Sequence, residues 1–177
     1  METSVDLYGE MTTNYETDTI SGRQGKRAED LFRDLLFWRL GKQPQLPSKQ
    51  ENMLWHIDWW IEGHAYDVKS RKAIRRGMLP QDNLHWIEYQ NIRGEAGWLQ
   101  GKSHTIAFEL EFSWMLVNRE RLLELVRERV DLDDVQTLEG IDNPDNWQVY
   151  HRKDQLDRIT LAPLSEILTT EPVIWKK

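Results

Sequence analysis

The sequence predicts an α+β fold, a mixed and mostly antiparallel sheet flanked by helices. Residues 21–40 carry apolar side chains at helical spacing, whereas several shorter stretches rich in Trp, Ile, Tyr and Val alternate with the two-residue period of a half-buried strand. At 177 residues, with 39% hydrophobic and 30% charged side chains, the chain is long enough to bury a proper core. Nine Trp supply large packing anchors, and the absence of Cys excludes disulfides, thiol catalysis and cysteine–zinc sites.

Residues 1–20 hold Glu2, Asp6, Glu10, Glu16 and Asp18 with no Lys or Arg and no sustained periodicity, so a flexible acidic arm is expected there. Residues 21–177 are read as one domain, with a core over 21–92 and an extension over 93–177. Ser21 and Gln24 fit a capping box at the start of the first helix, and Gly41 followed by Pro44 fits its end. Between them Ala28, Leu31, Phe32, Leu35, Leu36 and Phe37 form the inward stripe, and Glu29 borders it. An acid at that position is usually just a helix-edge residue. Residues 42–52, with Pro44 and Pro47, read as a loop with at most a short extended piece.

Residues 53–72 read as a β-hairpin broken at Glu62-Gly63-His64. With Gly63-His64 as the turn, Trp60 stands opposite Asp67 and Asp58 opposite Lys69. One face then carries His56, Asp58, Trp60, Asp67 and Lys69; the other carries Trp55, Ile57, Trp59, Ile61, Tyr66 and Val68. That clean partition requires an even loop. Two carboxylates a few ångströms apart repel unless a cation lies between them, and Mg²⁺ takes one or two carboxylates where phosphate is the substrate. The equally weighted alternative is a solvated face with a cross-strand Asp–Lys pair, worth a few tenths of a kcal/mol.

Farther on, 84–92 reads as a strand with Trp86, Glu88 and Gln90 on one face and His85, Ile87 and Tyr89 on the other. Gly94, Gly97 and Gly101 surround Trp98 in a loop. Gly-Lys-Ser at 101–103 is not a P-loop, because Ala96 stands where a glycine is needed. Residues 104–111 alternate well, 113–117 form their hairpin partner, and Asn118 caps a helix over 119–130 with Leu122, Leu123, Val126 and Val130 inward. Residues 131–146 are acidic and turn-rich. Residues 147–153 and 158–161 read as a late strand pair, and Pro163 starts a short helix.

The order of these residues, Glu29 on a helix, then Asp58, then Asp67-Val68-Lys69 and the basic run after it, resembles the PD-(D/E)XK nuclease superfamily over roughly residues 21–92. The run Asp67-Val68-Lys69 and the basic residues after it resemble its small phage-type, homing and junction-resolving members. Ile57 stands where the family name has Pro. The resemblance implies a restriction-endonuclease-like core, with Asp58, Asp67 and the carbonyl of Val68 holding Mg²⁺, for which Mn²⁺ would substitute. It also implies that Lys69 handles the attacking water, that Glu29 completes the acidic site, and that Gln90, with Glu88 as its rival, is presented from the next strand. The activity so implied is metal-assisted hydrolysis of a phosphodiester. A sequence-directed endonuclease, homing- or restriction-like, is favoured over a junction resolvase; a binding domain without the chemistry and a protein-interaction domain are the other readings.

Net charge is −7, which argues against indiscriminate coating of nucleic acid. Lys69, Arg71, Lys72, Arg75 and Arg76 nevertheless form a run without an acid. Arg71, Lys72, Arg75 and Arg76 are therefore expected to contact the backbone of double-stranded DNA, a solubilising charge run being the bland alternative. With one candidate site per chain, breaking two strands calls for a homodimer or higher oligomer. No apolar run approaches transmembrane length and the N-terminus is acidic, so an intracellular chain with no membrane partner is expected.

Overall fold

The computed structural model describes residues 19–75 and 77–177. The predicted acidic arm lies outside the described residues except for Thr19 and Ile20, which begin the first helix. Helix α1 spans Ile20–Leu40. Thr19 is its N-cap, in place of the expected Ser21; its hydroxyl accepts the Gly22 N–H at 2.9 Å. Gly41 ends the helix in the left-handed region, φ 65°, and donates its N–H to the Phe37 carbonyl. Ala28, Phe32 and Leu36 are the buried positions.

A second helix, α2 (Lys49–Trp55), occupies part of the predicted loop. Ser48 and Glu51 form a reciprocal capping box at its start. The Ser-x-x-Glu signal stands in the sequence, but the prolines before it dominated the reading. The expected extended piece survives as a single bridge between Gln45 and Trp60.

The hairpin follows as β1 (Trp59–Ile61) and β2 (His64–Lys69). Its pairs are Trp59–Tyr66, Trp60–Ala65 and Ile61–His64, so the loop is Glu62-Gly63 rather than Gly63-His64. The loop is still even, so Trp60, Asp67 and Lys69 share one face and Trp59, Ile61, Tyr66 and Val68 the other. Trp55 and His56, however, are the last residue and the C-cap of α2, and Ile57 and Asp58 precede β1, so the predicted hairpin begins too early. The remaining elements are β3 (Leu84–Gln90), the 3-10 turn Trp98–Gln100, β4 (Thr105–Glu109), β5 (Ser113–Asn118) and α3 (Arg119–Arg129). After them come β6 (Val135–Thr137), β7 (Val149–His151), β8 (Arg158–Pro163), α4 (Leu164–Ile167) and β9 (Val173–Lys176). Strands β6 and β9 lie where no strand was expected.

The described strands form a five-stranded sheet, β1-β2-β4-β5-β9, and a four-stranded sheet, β3-β8-β7-β6. Pairs β2–β4 and β6–β7 are parallel and the others antiparallel. The architecture is thus α+β with mixed sheets and flanking helices. Helix α1 covers one face of the larger sheet, where Phe32 and Leu36 pack with Trp59, Tyr66, Val68, Trp114 and Leu116. The other face packs Ile106, Phe108, Met115 and Val117 against Ile87 of β3, Ala162 of β8 and Leu122 and Val126 of α3. Alternation along β4 and β5 divides their side chains between the two cores. No described helix is long and apolar enough to cross a membrane.

Candidate functional site

The hairpin face predicted to carry polar chemistry does not look into solvent. Register places Asp67 beside Ile106, on the face that meets the second sheet. Asp67 is only 1% exposed. Its Oδ1 lies 2.5 Å from Lys69 Nζ, while its Oδ2 is buried and has no hydrogen-bond donor. Burial, and then the Asp58 carboxylate, raise Asp67 well above the usual carboxylate range, with Lys69 opposing. Lys69 stays charged: burial alone would lower its pKa, but Asp67 and Asp58 hold it above the ordinary lysine value. The ammonium also sits 4.9 Å from the centre of the Trp98 ring.

Asp58 is engaged on both oxygens. Its Oδ2 accepts the Val68 N–H at 2.7 Å and its Oδ1 accepts Asn52 Nδ2 at 3.2 Å, so it ties α2 to the hairpin. The Lys69 ammonium is the cation that faces this carboxylate pair.

The other predicted site residues are placed apart or engaged. Glu29 belongs to the helix on the opposite face of the sheet; its carboxylate meets Lys26 at 3.4 Å and its carbonyl accepts the Trp59 indole N–H. The Val68 side chain is buried in the core under α1. Gln90 donates from Nε2 to the Leu156 carbonyl at 2.6 Å. Its rival Glu88 is the one that faces Lys69, and burial raises its pKa against the pull of Lys69 and Arg152. Arg71 is held by Asp82 at 2.6 Å and Glu111 at 3.3 Å, and Arg75 pairs with Asp142. Arg76 lies outside the described residues. Lys72 is exposed and has no ion pair within reach among the described residues. Desolvation lowers its pKa, and repulsion from Lys69 and Arg152 adds to that.

Sequence reasoning missed Arg152, Asp157 and the role of Trp98. Arg152 is anchored to the buried Asp157 through Nε at 2.6 Å and its backbone N–H at 2.9 Å. Nothing in the local sequence marks it, because it reaches the cleft only through the β7–β8 connection. Gly97 allows the Trp98 turn to lie against β3: a Cβ there would stand 2.6 Å from the Glu88 carbonyl oxygen. Between the sheets, Lys69, Ser70, Lys72, His85, Trp86 and Trp98 line a cavity of about 40 Å³. Ser70 Oγ and His85 Nε2 are buried there without partners. Burial holds the His85 imidazole neutral, its pKa lowered to about 4.

These placements correct the catalytic expectation. Among the described residues no group of three or more His, Asp or Glu side chains is placed to hold a metal ion. Mg²⁺ or Mn²⁺ as cofactor, phosphodiester hydrolysis, and an endonuclease of homing, restriction or resolving type are overturned on that ground. The physical reason is local: Asp58 accepts the Val68 N–H, Asp67 is bound to Lys69, and Glu29 lies on α1, across the sheet from Asp67. What remains is a cleft with cations gathered at its mouth. Comparison with protein-family models, with curated proteins and with solved structures finds no match to the chain.

Proposed function

We propose that the chain is a nucleic-acid docking domain, which presents cations to the phosphate backbone of duplex DNA and does not cut it. On this reading the hairpin and α1 are a restriction-endonuclease-like core kept as a scaffold, with its carboxylates turned to structural work. One observation carries the reading. Lys72 is exposed, has no ion pair among the described residues, and lines the same cleft as Lys69. Like charges crowded at a cleft mouth favour an anion, and a local basic patch on an acidic protein is enough to dock a phosphate backbone. Trp86, beside the same cavity, adds an aromatic surface.

Fluorescence anisotropy with a labelled duplex, across a salt series and in the presence of EDTA, tests it. Binding is expected at low salt, weakening as salt rises, with the duplex intact afterwards. Lys72→Ala should weaken binding for every duplex alike and reduce the salt slope by about one counterion. An unchanged slope in Lys72→Ala, or no binding at low salt, overturns the reading.

A further inference from the structure

Among the described residues, strand β9 forms an outer edge of the larger sheet and pairs only with β5. The hydrogen-bond parity of that pairing is fixed from both sides. The Lys177 N–H donates to the Phe112 carbonyl, which makes 112–177, and with it 114–175 and 116–173, the hydrogen-bonded pairs. The Leu110 N–H donates to the Ser113 carbonyl, so 113, 115 and 117 direct their backbone groups the other way, towards β4. Ile174 and Lys176 therefore turn their N–H and C=O groups outward from the edge.

We infer that a second copy of this chain pairs with that edge, β9 to β9, antiparallel about a two-fold axis at Ile174. This interaction surface stands apart from the DNA reading and does not depend on it. Three features make the edge complementary to itself. Ile174 opposite Ile174 exchanges two hydrogen bonds across the axis. The same register puts Lys176 of one copy opposite Pro172 of the other, so the Lys176 N–H meets the Pro172 carbonyl. Pro172 has no N–H to return, and the Lys176 carbonyl it would have served is already taken by Arg39 Nη2 at 3.2 Å. A proline and an arginine on an edge ordinarily discourage pairing, but here each supplies what the other lacks.

The side chains agree with the backbone. Val173 and Ile174, 56% and 47% exposed, would be covered, with Val173 of one copy against Trp175 of the other. The last turn of α1 overhangs this edge: Arg39 stacks 5.1 Å from the centre of the Trp175 ring, and Trp38 is 81% exposed. Such a Trp beside an open strand is the kind of anchor that an interface core uses.

Sedimentation equilibrium on the full chain, from micromolar to millimolar, is the test. The mass is expected to rise from monomer to dimer. Ile174→Asp sets two like charges on the axis, and Ile174→Pro removes the central outward N–H while leaving the β5 ladder whole. Both should stay monomeric where the unaltered chain is dimeric, with unchanged far-UV circular dichroism. Amide exchange gives a second readout: protection at Ile174 and Lys176 should rise with protein concentration, while Val173 and Trp175 stay protected throughout. A monomer at every concentration, variants that dimerise like the parent, or protection of Ile174 independent of concentration would each overturn the inference.

Discussion

Asp58 and Asp67 show how the same two residues can be read in opposite ways. Alternation along the hairpin places both carboxylates on one face, and although Asp58 precedes β1 the two do lie close enough to interact. It does not say what covers that face. Because β2 is an interior strand, Asp67 lies under the second sheet, where burial raises its pKa and the Lys69 ammonium is its partner. Titration makes the difference measurable. His85 is held neutral with its pKa lowered to about 4, so between pH 6.5 and 4 the unfolded chain binds a proton that the folded chain does not. The stability its neutral form contributes is complete above pH 6.5 and is lost as pH falls through that window, to the extent of about 3 kcal/mol. Asp67 and Glu88, both raised, run in the other sense: their contribution is greatest at low pH and is lost as pH climbs past the usual carboxylate range. His85→Phe keeps the aromatic contact with Phe108, whose ring centre lies 5.0 Å away, and removes only the imidazole. Urea midpoints measured against pH should therefore lose their decline between pH 6.5 and 4 relative to the parent. An identical decline in the variant would assign it elsewhere.

Elements built on a strong local period were legible, and those fixed by tertiary contact were not. Helices α1 and α3 and strands β3, β4, β5 and β8 lie close to where periodicity puts them. Strand β9 is four residues whose only ladder partner among the described residues is β5, and β6 sits in acidic, turn-rich sequence beside β7; neither has a period long enough to read. The hairpin turn is an intermediate case, since parity decided the faces but not which pair of residues turns. Glu62-Gly63 has φ of 49° and 78°, the left-handed pair that a tight hairpin turn with native twist requires. Gly63 suits it and Glu62 does not, a β-carbon in that region being disfavoured. The exposed Lys42–Glu62 ion pair offers little in return. Glu62→Asn should accordingly stabilise the protein by up to about 1 kcal/mol, read as a higher thermal midpoint. A lower midpoint would mean that the Glu62 side chain contributes more than its backbone costs.

At the scale of the whole molecule the larger sheet is the shared wall of two cores, and this explains why the candidate site resisted sequence reading. Strands β2, β4 and β5 send Val68, Ala107, Trp114 and Leu116 to the α1 side, and Ile106, Phe108, Met115 and Val117 to the α3 side. Lys69 ends β2 and Lys72 lies in the segment just after it, Glu88 comes from β3 and Arg152 from the β7–β8 connection, so the cleft exists only once the two sheets have met. A motif scan sees the β2 share alone. The same wall couples the cores energetically, because neither can be lost without withdrawing the backbone that supports the other. Phe32 is the most telling probe: it is fully buried, with ring centres of Trp114 and Tyr66 at 4.9 and 5.4 Å. Phe32→Ala should cost about 3–5 kcal/mol. Far-UV circular dichroism and tryptophan fluorescence should still report one denaturation midpoint. Amides of α3, which Phe32 does not touch, should lose as much protection as those of α1. Retention of parental protection in α3 would show instead that the cores open separately, and the cleft between the sheets would then persist when α1 is released.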